Sequence, residues 1–132
     1  MTQQTYGVAF VGSGSAKLET VLTNERLAAV VDTSDDWIAS RTGIRQRHIA
    51  NATDSVRSLG GEAARQAIAQ SGTAPTDVDL IILATSTPDD LFGSACQIQH
   101  EIGATRAVAF DITAACSGFV FALVTAAQFI RT

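Results

Sequence analysis

Ala107-Val108-Ala109-Phe110-Asp111-Ile112-Thr113-Ala114-Ala115-Cys116-Ser117-Gly118-Phe119 is the stretch that decides the fold. Up to Ile112 it is short and apolar, as a buried strand is. It breaks at small residues. The apolar, alanine-containing run from Gly118 to Arg131 is long enough for a helix. Cys116 therefore falls at or near a helix N-terminus, where unpaired backbone N–H groups and the helix dipole favour a thiolate over a thiol. The thiolate is the nucleophilic form. A free cysteine is more often a small buried hydrophobe, and the local sequence leaves both readings open.

Outward from this stretch the same alternation continues. Leu80-Ile81-Ile82-Leu83-Ala84 is a near-continuous apolar run, as in a strand covered on both faces. A polar loop with Pro88 spans Ser86 to Gly93, and Ser94 to Ile102 reads as a helix closed by Gly103. Strands separated by helices imply a parallel sheet in a layered α/β fold. Further upstream, Asp54 or Ser55 caps a longer helix with Val56, Leu59, Ala63, Ala67 and Ile68 on one face and Gly72 as its stop. Ser34 caps a shorter helix, with Asp35 and Asp36 in its first turn and Gly43 beyond its end. Thr23-Asn24 offers the N-cap of another, ending near Val31. Ile44 to Ile49 reads as a short exposed strand or an extended loop.

Tyr6 to Val11 is predicted to be a first buried strand, stopped by Gly12-Ser13-Gly14-Ser15. Its Gly-x-Gly is no dinucleotide fingerprint, because the third glycine would fall at Lys17. The last helix is apolar almost all round, the pattern of a helix buried on several sides. A chain of 132 residues is small for that task, so this one is expected to be part of a larger domain.

Composition narrows the class. Apolar residues make up 46% and charged ones 17%, which suits a packed core and excludes disorder. A net charge of −4 argues against nucleic acid and against a polybasic membrane surface. No run of about 20 apolar residues offers a membrane span. Met1 to Tyr6 shows no basic n-region of a secretory signal. Cys96 and Cys116 form neither a metal spacing nor a disulfide framework, so a reducing cytoplasm is the expected compartment.

Three segments together resemble the bacterial β-ketoacyl-[acyl-carrier-protein] synthase III family of the thiolase-like superfamily. They are Asp32-Thr33-Ser34-Asp35-Asp36-Trp37-Ile38 with Arg41-Thr42-Gly43-Ile44-Arg45, then Ser94-Ala95-Cys96-Gln97-Ile98-Gln99, then Phe110-Asp111-Ile112 through Ala114-Ala115-Cys116-Ser117-Gly118-Phe119. The resemblance implies the N-terminal half of a thiolase-like α/β/α fold across residues 1–132, with the C-terminal half outside the chain. It implies an acyltransferase that starts fatty acid synthesis. An acyl group passes from acetyl-CoA, or another short acyl-CoA, to a cysteine. Decarboxylative condensation with malonyl-acyl-carrier-protein follows. By position Cys116 is the implied nucleophile, Trp37 the residue that stacks on the CoA adenine, Arg41 a contact to CoA phosphates and Thr33 a lesser contact to the base. Phe92 is the implied residue that crosses a homodimer to line the partner's acyl pocket. Ser117 stands where many members have alanine. No cofactor beyond the acyl-CoA substrate and no metal are implied. Implied partners are the malonyl-carrier protein, a second copy and the remainder of the enzyme, with no nucleic acid and no membrane.

The residues fit these roles on chemical grounds. An indole offers a face for a flat base. A guanidinium four positions on shares its helical face and can fork onto phosphate. The competing readings are a core anchor for Trp37 and a solvated helix face for Arg41. Cys96 is assigned to packing. His48 is expected to face solvent, and His100 to sit late in its helix, where a histidine suits the dipole; neither is assigned to catalysis. The catalytic His and Asn of the family lie downstream of the cysteine, so the chain alone is expected not to condense. Two alternatives stand beside this reading: another thiolase-like acyltransferase of secondary metabolism, and a non-catalytic CoA-binding module.

Overall fold

A parallel strand pair carries the nucleophile stretch in the computed structural model, which describes residues 6–132. β3 (Leu80–Ala84) pairs with β4 (Val108–Ile112) in parallel, in the register Leu80↔Val108 to Ala84↔Ile112. This is the sheet expected from the β-α-β-α order. The intervening helix α4 (Ala95–Ile102) and the long α3 (Val56–Ser71) pack on one face, and α5 (Gly118–Arg131) lies on the other. Strand alternation divides the side chains between the layers. Ile81 and Leu83 join Ile98 and Ile102 of α4 and Ile68 of α3 in the core. Leu80, Ile82 and Val108 face Leu123, Ala126 and Phe129 of α5 across an open groove. Helices thus cover β3 on both faces, although its residues are only half-buried. These layers form one compact unit, made of Ser55–Thr132 and the segment up to Ala16.

The other unit is Lys17–Asp54. It holds β1 (Thr20–Thr23), α1 (Asn24–Ala28), α2 (Asp35–Thr42) and β2 (Gln46–Ile49). β1 and β2 form an antiparallel ribbon from Thr20↔Ile49 to Thr23↔Gln46. Of the 44–49 segment Gln46–Ile49 is strand and Ile44–Arg45 is not, and β1, unforeseen because its four residues lack alternation, is its partner.

Helix ends follow their caps. Thr23 accepts from Arg26 N–H, Ser34 from Trp37 N–H, and Ser55 forms a capping box with Ser58. Of Asp54 and Ser55, the structure selects Ser55. Gly43, Gly72 and Gly103 close their helices as expected. α1 ends at Ala28, short of Val31, which follows in a turn.

One of two further expectations is corrected here. Tyr6 to Val11 is not a strand. It has no ladder partner among the described residues, and Phe10 and Val11 are exposed. An apolar run becomes a strand only where another edge is offered to it. The Gly-x-Gly that follows approaches α3 closely: a Cβ on Gly12 would strike the Ala67 carbonyl, and one on Gly14 the Ala63 carbonyl. Ser13 N–H donates to Gln70 Oε1 at 2.6 Å and Ser15 N–H to Gln66 Oε1 at 3.2 Å. Those glycines serve helix packing. The other expectation holds: this chain does not cover α5 all round, and the helix is buried only toward the sheet, through Gly118 and Ala122. Phe119, Val120, Phe121, Val124, Phe129 and Ile130 are exposed.

Candidate functional site

Cys116 lies five residues beyond Asp111, in a single 3₁₀ turn (Ala115–Ser117) between β4 and α5. Thr85 N–H donates to Ile112 O at 3.2 Å, and the Thr113 hydroxyl to Thr85 O at 2.8 Å, so the carboxyl ends of the two strands are clamped together. Gly118 is buried against Ala84, where a Cβ would come within 3.2 Å of that side chain. The turn itself is sharp. Ala115 has φ 45, the one non-glycine residue with positive φ among the described residues. For an L-residue this conformation costs roughly 1–2 kcal/mol. The surrounding clamps must hold it. Cys116 is exposed, so it is not a buried hydrophobe.

α5 opens without a side-chain cap, whereas side-chain oxygens accept from the first-turn N–H groups of α1, α2 and α3, and Asp111 does this for α4. Uncapped N–H groups at a helix start stabilise developing negative charge; Gly118 N–H is taken by Ala115 O, so the helix offers those that follow it.

Cys96, assigned to packing, is corrected: it too is exposed. Its sulfur lies 3.6 Å from Ala109 O. It borders a cleft with Leu91, Phe92, Gly93 and Asp111. It faces β4 at an edge that no further strand covers among the described residues, so it stays exposed.

Trp37 and Arg41 occupy successive turns of α2. The Arg41 guanidinium carbon sits 4.5 Å from the centre of the Trp37 ring, a cation–π contact. Trp37 is 55% exposed, so it is no core anchor. Val31, Asp32, Thr33, Ser34 and Trp37 line one cleft, which brings Thr33 and Trp37 together. The helix is held by a polar node absent from the sequence reading. Asn24 is fully buried; its amide donates to Asp35 Oδ1 at 2.7 Å and Ile44 O at 2.8 Å, and its carbonyl accepts from Arg47 Nη2 at 2.8 Å. Asp35 also takes Arg45 at 2.7 Å.

Phe92 stands at the tip of the β3–α4 connection, 92% exposed beside Leu91 at 93%. His48 is half-buried with Nδ1 2.6 Å from Leu18 O, which corrects its expected solvent-facing place. His100 is exposed in the last turn of α4.

The site residues the sequence did not reveal are Asp111, Ser94 and Asp89, which brace the 89–93 loop. A signal existed: a carboxylate inside an apolar strand is almost never buried without partners.

Comparisons with known proteins place the fold and the family. The aligned solved structures define the class, a thiolase-like condensing-enzyme fold. The 3-oxoacyl-[acyl-carrier-protein] synthase III of Aquifex aeolicus superposes with a TM-score of 0.87 at 45% identity, over 91% of this chain and 39% of that one. The priming β-ketosynthase of the R1128 polyketide pathway gives 0.87 at 34% identity, over 92% and 37%. Residues 110–132 match the family described as 3-oxoacyl-[acyl-carrier-protein (ACP)] synthase III. The β-ketoacyl-[acyl-carrier-protein] synthase III of Trichormus variabilis is 66% identical over 129 residues, 98% of this chain. The chain belongs to the β-ketoacyl-[acyl-carrier-protein] synthase III family. It spans about two-fifths of the length of such relatives, 39% in the Trichormus variabilis case. Among the described residues no helix is long and apolar enough to cross a membrane.

Proposed function

We propose that this chain carries the nucleophile and the CoA-binding helix of a β-ketoacyl-[acyl-carrier-protein] synthase III, an acyltransferase that initiates fatty acid synthesis. The observation that supports it most is an exposed Cys116 on a sharp turn before an uncapped helix, inside the segment that matches the family. The Cys116 sulfur attacks the thioester carbonyl of acetyl-CoA or another short acyl-CoA. A carbon–sulfur bond forms to Cys116, the bond to CoA sulfur breaks, and CoA leaves as the thiol. Trp37 stacks on the adenine, Arg41 contacts the phosphates and Thr33 borders the base. Condensation with malonyl-acyl-carrier-protein then releases carbon dioxide. That step belongs to the whole enzyme, a cytoplasmic homodimer in which Phe92 lines the acyl pocket of the second copy. The chemistry runs on the thiol and needs no resident cofactor.

The R1128 ketosynthase shares the fold, so fold alone does not choose between fatty acid and polyketide priming. The higher identity to the synthase III relatives favours the first. The test is intact-mass analysis after incubation with acetyl-CoA, beside Cys116→Ala. A gain of one acetyl group, lost in the variant, is expected. CoA binding without acylation would instead establish a binding module, and acylation retained in Cys116→Ala would reject the assignment.

A further inference from the structure

The connections that follow β3 and β4 leave the carboxyl ends of two parallel strands, so the Leu91–Phe92 loop and the Cys116 turn rise from one edge of the sheet. Asp111, next to last in β4, ties them together. On this strand Phe110 faces Phe129 of α5, and alternation sends Asp111 to the α4 side. There its carboxylate accepts from Ser94 N–H at 2.9 Å and from Ala95 N–H at 2.8 Å. The fully buried Ser94 hydroxyl accepts from Asp89 N–H at 2.8 Å. The Asp89 carboxylate accepts from Val56 N–H at 2.8 Å and Arg57 N–H at 2.7 Å, at the start of α3. Asp90 closes the loop, taking Phe92 N–H at 2.8 Å and the Gln97 amide at 2.6 Å. Gly93, at φ +89, lets the backbone come so near Asp111 that a Cβ would lie 2.8 Å from Oδ1. Hydrogen bonds to charged groups are the stronger kind. Six of them thus fix a loop whose tip carries the most exposed large apolar side chains among the described residues. Such side chains on a loose loop would collapse onto any apolar surface. On a braced one they are presented.

We propose that Asp111 is a positioning residue: through Ser94 and Asp89 it holds the Leu91–Phe92 loop in place, and thereby sets which acyl groups enter the pocket that Phe92 lines in the second copy. The selectivity half rests on the acyl-transfer reading above; the loop-holding half does not. Asp111→Asn keeps one acceptor oxygen and removes the charge. It is compared with wild type, Ser94→Ala, Phe92→Ala and Ile102→Val, the last loosening the core away from the loop. Backbone amide exchange at Phe92, Ser94 and Ala95 is expected to quicken about tenfold in Asp111→Asn, and Ser94→Ala to quicken Phe92 alone of the three by a comparable factor. Initial acylation of Cys116 by acetyl-, butyryl- and hexanoyl-CoA, followed by intact mass, gives a preference ratio. In Asp111→Asn and Phe92→Ala the acetyl-to-hexanoyl ratio is expected to move in the same direction, by about threefold, and in Ile102→Val not at all. Unchanged exchange in Asp111→Asn would overturn the proposal. So would an unchanged ratio, or an equal change in Ile102→Val, which would make the effect one of stability. A wild-type chain acylated by none of the three would overturn the acyl-transfer reading and the selectivity half with it, while the exchange result still decides whether Asp111 holds the loop.

Discussion

Removing the Asn24 side chain tests whether the buried polar node fixes the helix that bears Trp37. In Asn24→Ala three hydrogen bonds go at once. One, to Ile44 O, is between neutral groups, worth about 1 kcal/mol net; those involving Asp35 and Arg47 are charge-assisted, at about 1.5 kcal/mol or more each. That sum, near 4 kcal/mol, is an upper figure. The Asp35 side chain is 28% exposed and keeps Arg45 at 2.7 Å, so part of its loss is made good by water. Arg47 has no such recourse: its Nη1 is already buried without a partner. About 3 kcal/mol is the resulting expectation, a large share of the ~5–15 kcal/mol that holds a typical domain. Trp37, the one tryptophan, lies in the same unit. Its fluorescence in a urea titration reports the loss, and at ~1–2 kcal/mol per molar the midpoint should fall by more than about 1 M. Asn24→Asp, nearly the same shape, puts an oxygen against Asp35 Oδ1 in place of a donor and should cost at least as much. A midpoint shift below about 0.3 M in Asn24→Ala, or an Asp variant as stable as wild type, would refute the reasoning.

Other outcomes follow from separate parts of the structure. Trp37→Ala should weaken CoA binding by calorimetry about tenfold or more, an indole–base stack being worth roughly 1–3 kcal/mol; unchanged affinity with a collapsed melting temperature would make Trp37 a structural residue after all. Ala115→Gly should raise thermal stability by up to about 1 kcal/mol by relieving the positive φ, and slow Cys116 acylation if the strained turn aims the sulfur; a stability loss would contradict the strain. The exposed apolar face of α5 should drive association, seen as a concentration-dependent sedimentation coefficient that Phe119→Lys with Ile130→Lys reduces. Glu62 is held below the usual carboxylate range by the Gln66 amide first and the Arg65 guanidinium second. Its contribution is therefore present above the unfolded carboxylate pKa and is lost as pH falls through the lower folded value. The small melting-temperature deficit of Glu62→Gln should accordingly vanish in acid.

Local chemistry made much of this protein legible from its residues. Ser34, Ser55 and the glycines at 43, 72 and 103 mark helix ends because caps and left-handed stops act within a turn of the chain. The runs at 80–84 and 107–112 read as strands because they are short and apolar but for Asp111, and as parallel because a helix separates them. The cysteine between strand and helix, and Trp37 four residues before Arg41, lie in contiguous segments, so their types and spacing are visible without a fold. Tertiary structure decided whatever depends on a distant partner. Tyr6 to Val11 has a strand's composition and no ladder partner among the described residues, while Thr20–Thr23 has little pattern and pairs because β2 is there. Cys96 is exposed and His48 bonded by the way their elements pack, not by their neighbours in sequence. Asn24 looks like a helix cap and becomes a buried node only when Asp35, Ile44 and Arg47 converge on it. Asp111 looks like a strand residue out of place until the start of α4 is brought to its carboxylate. Hydrogen-bond partners 10 to 33 residues away leave no periodicity behind them, so the braces of the site had to be seen in three dimensions while its reactive groups did not.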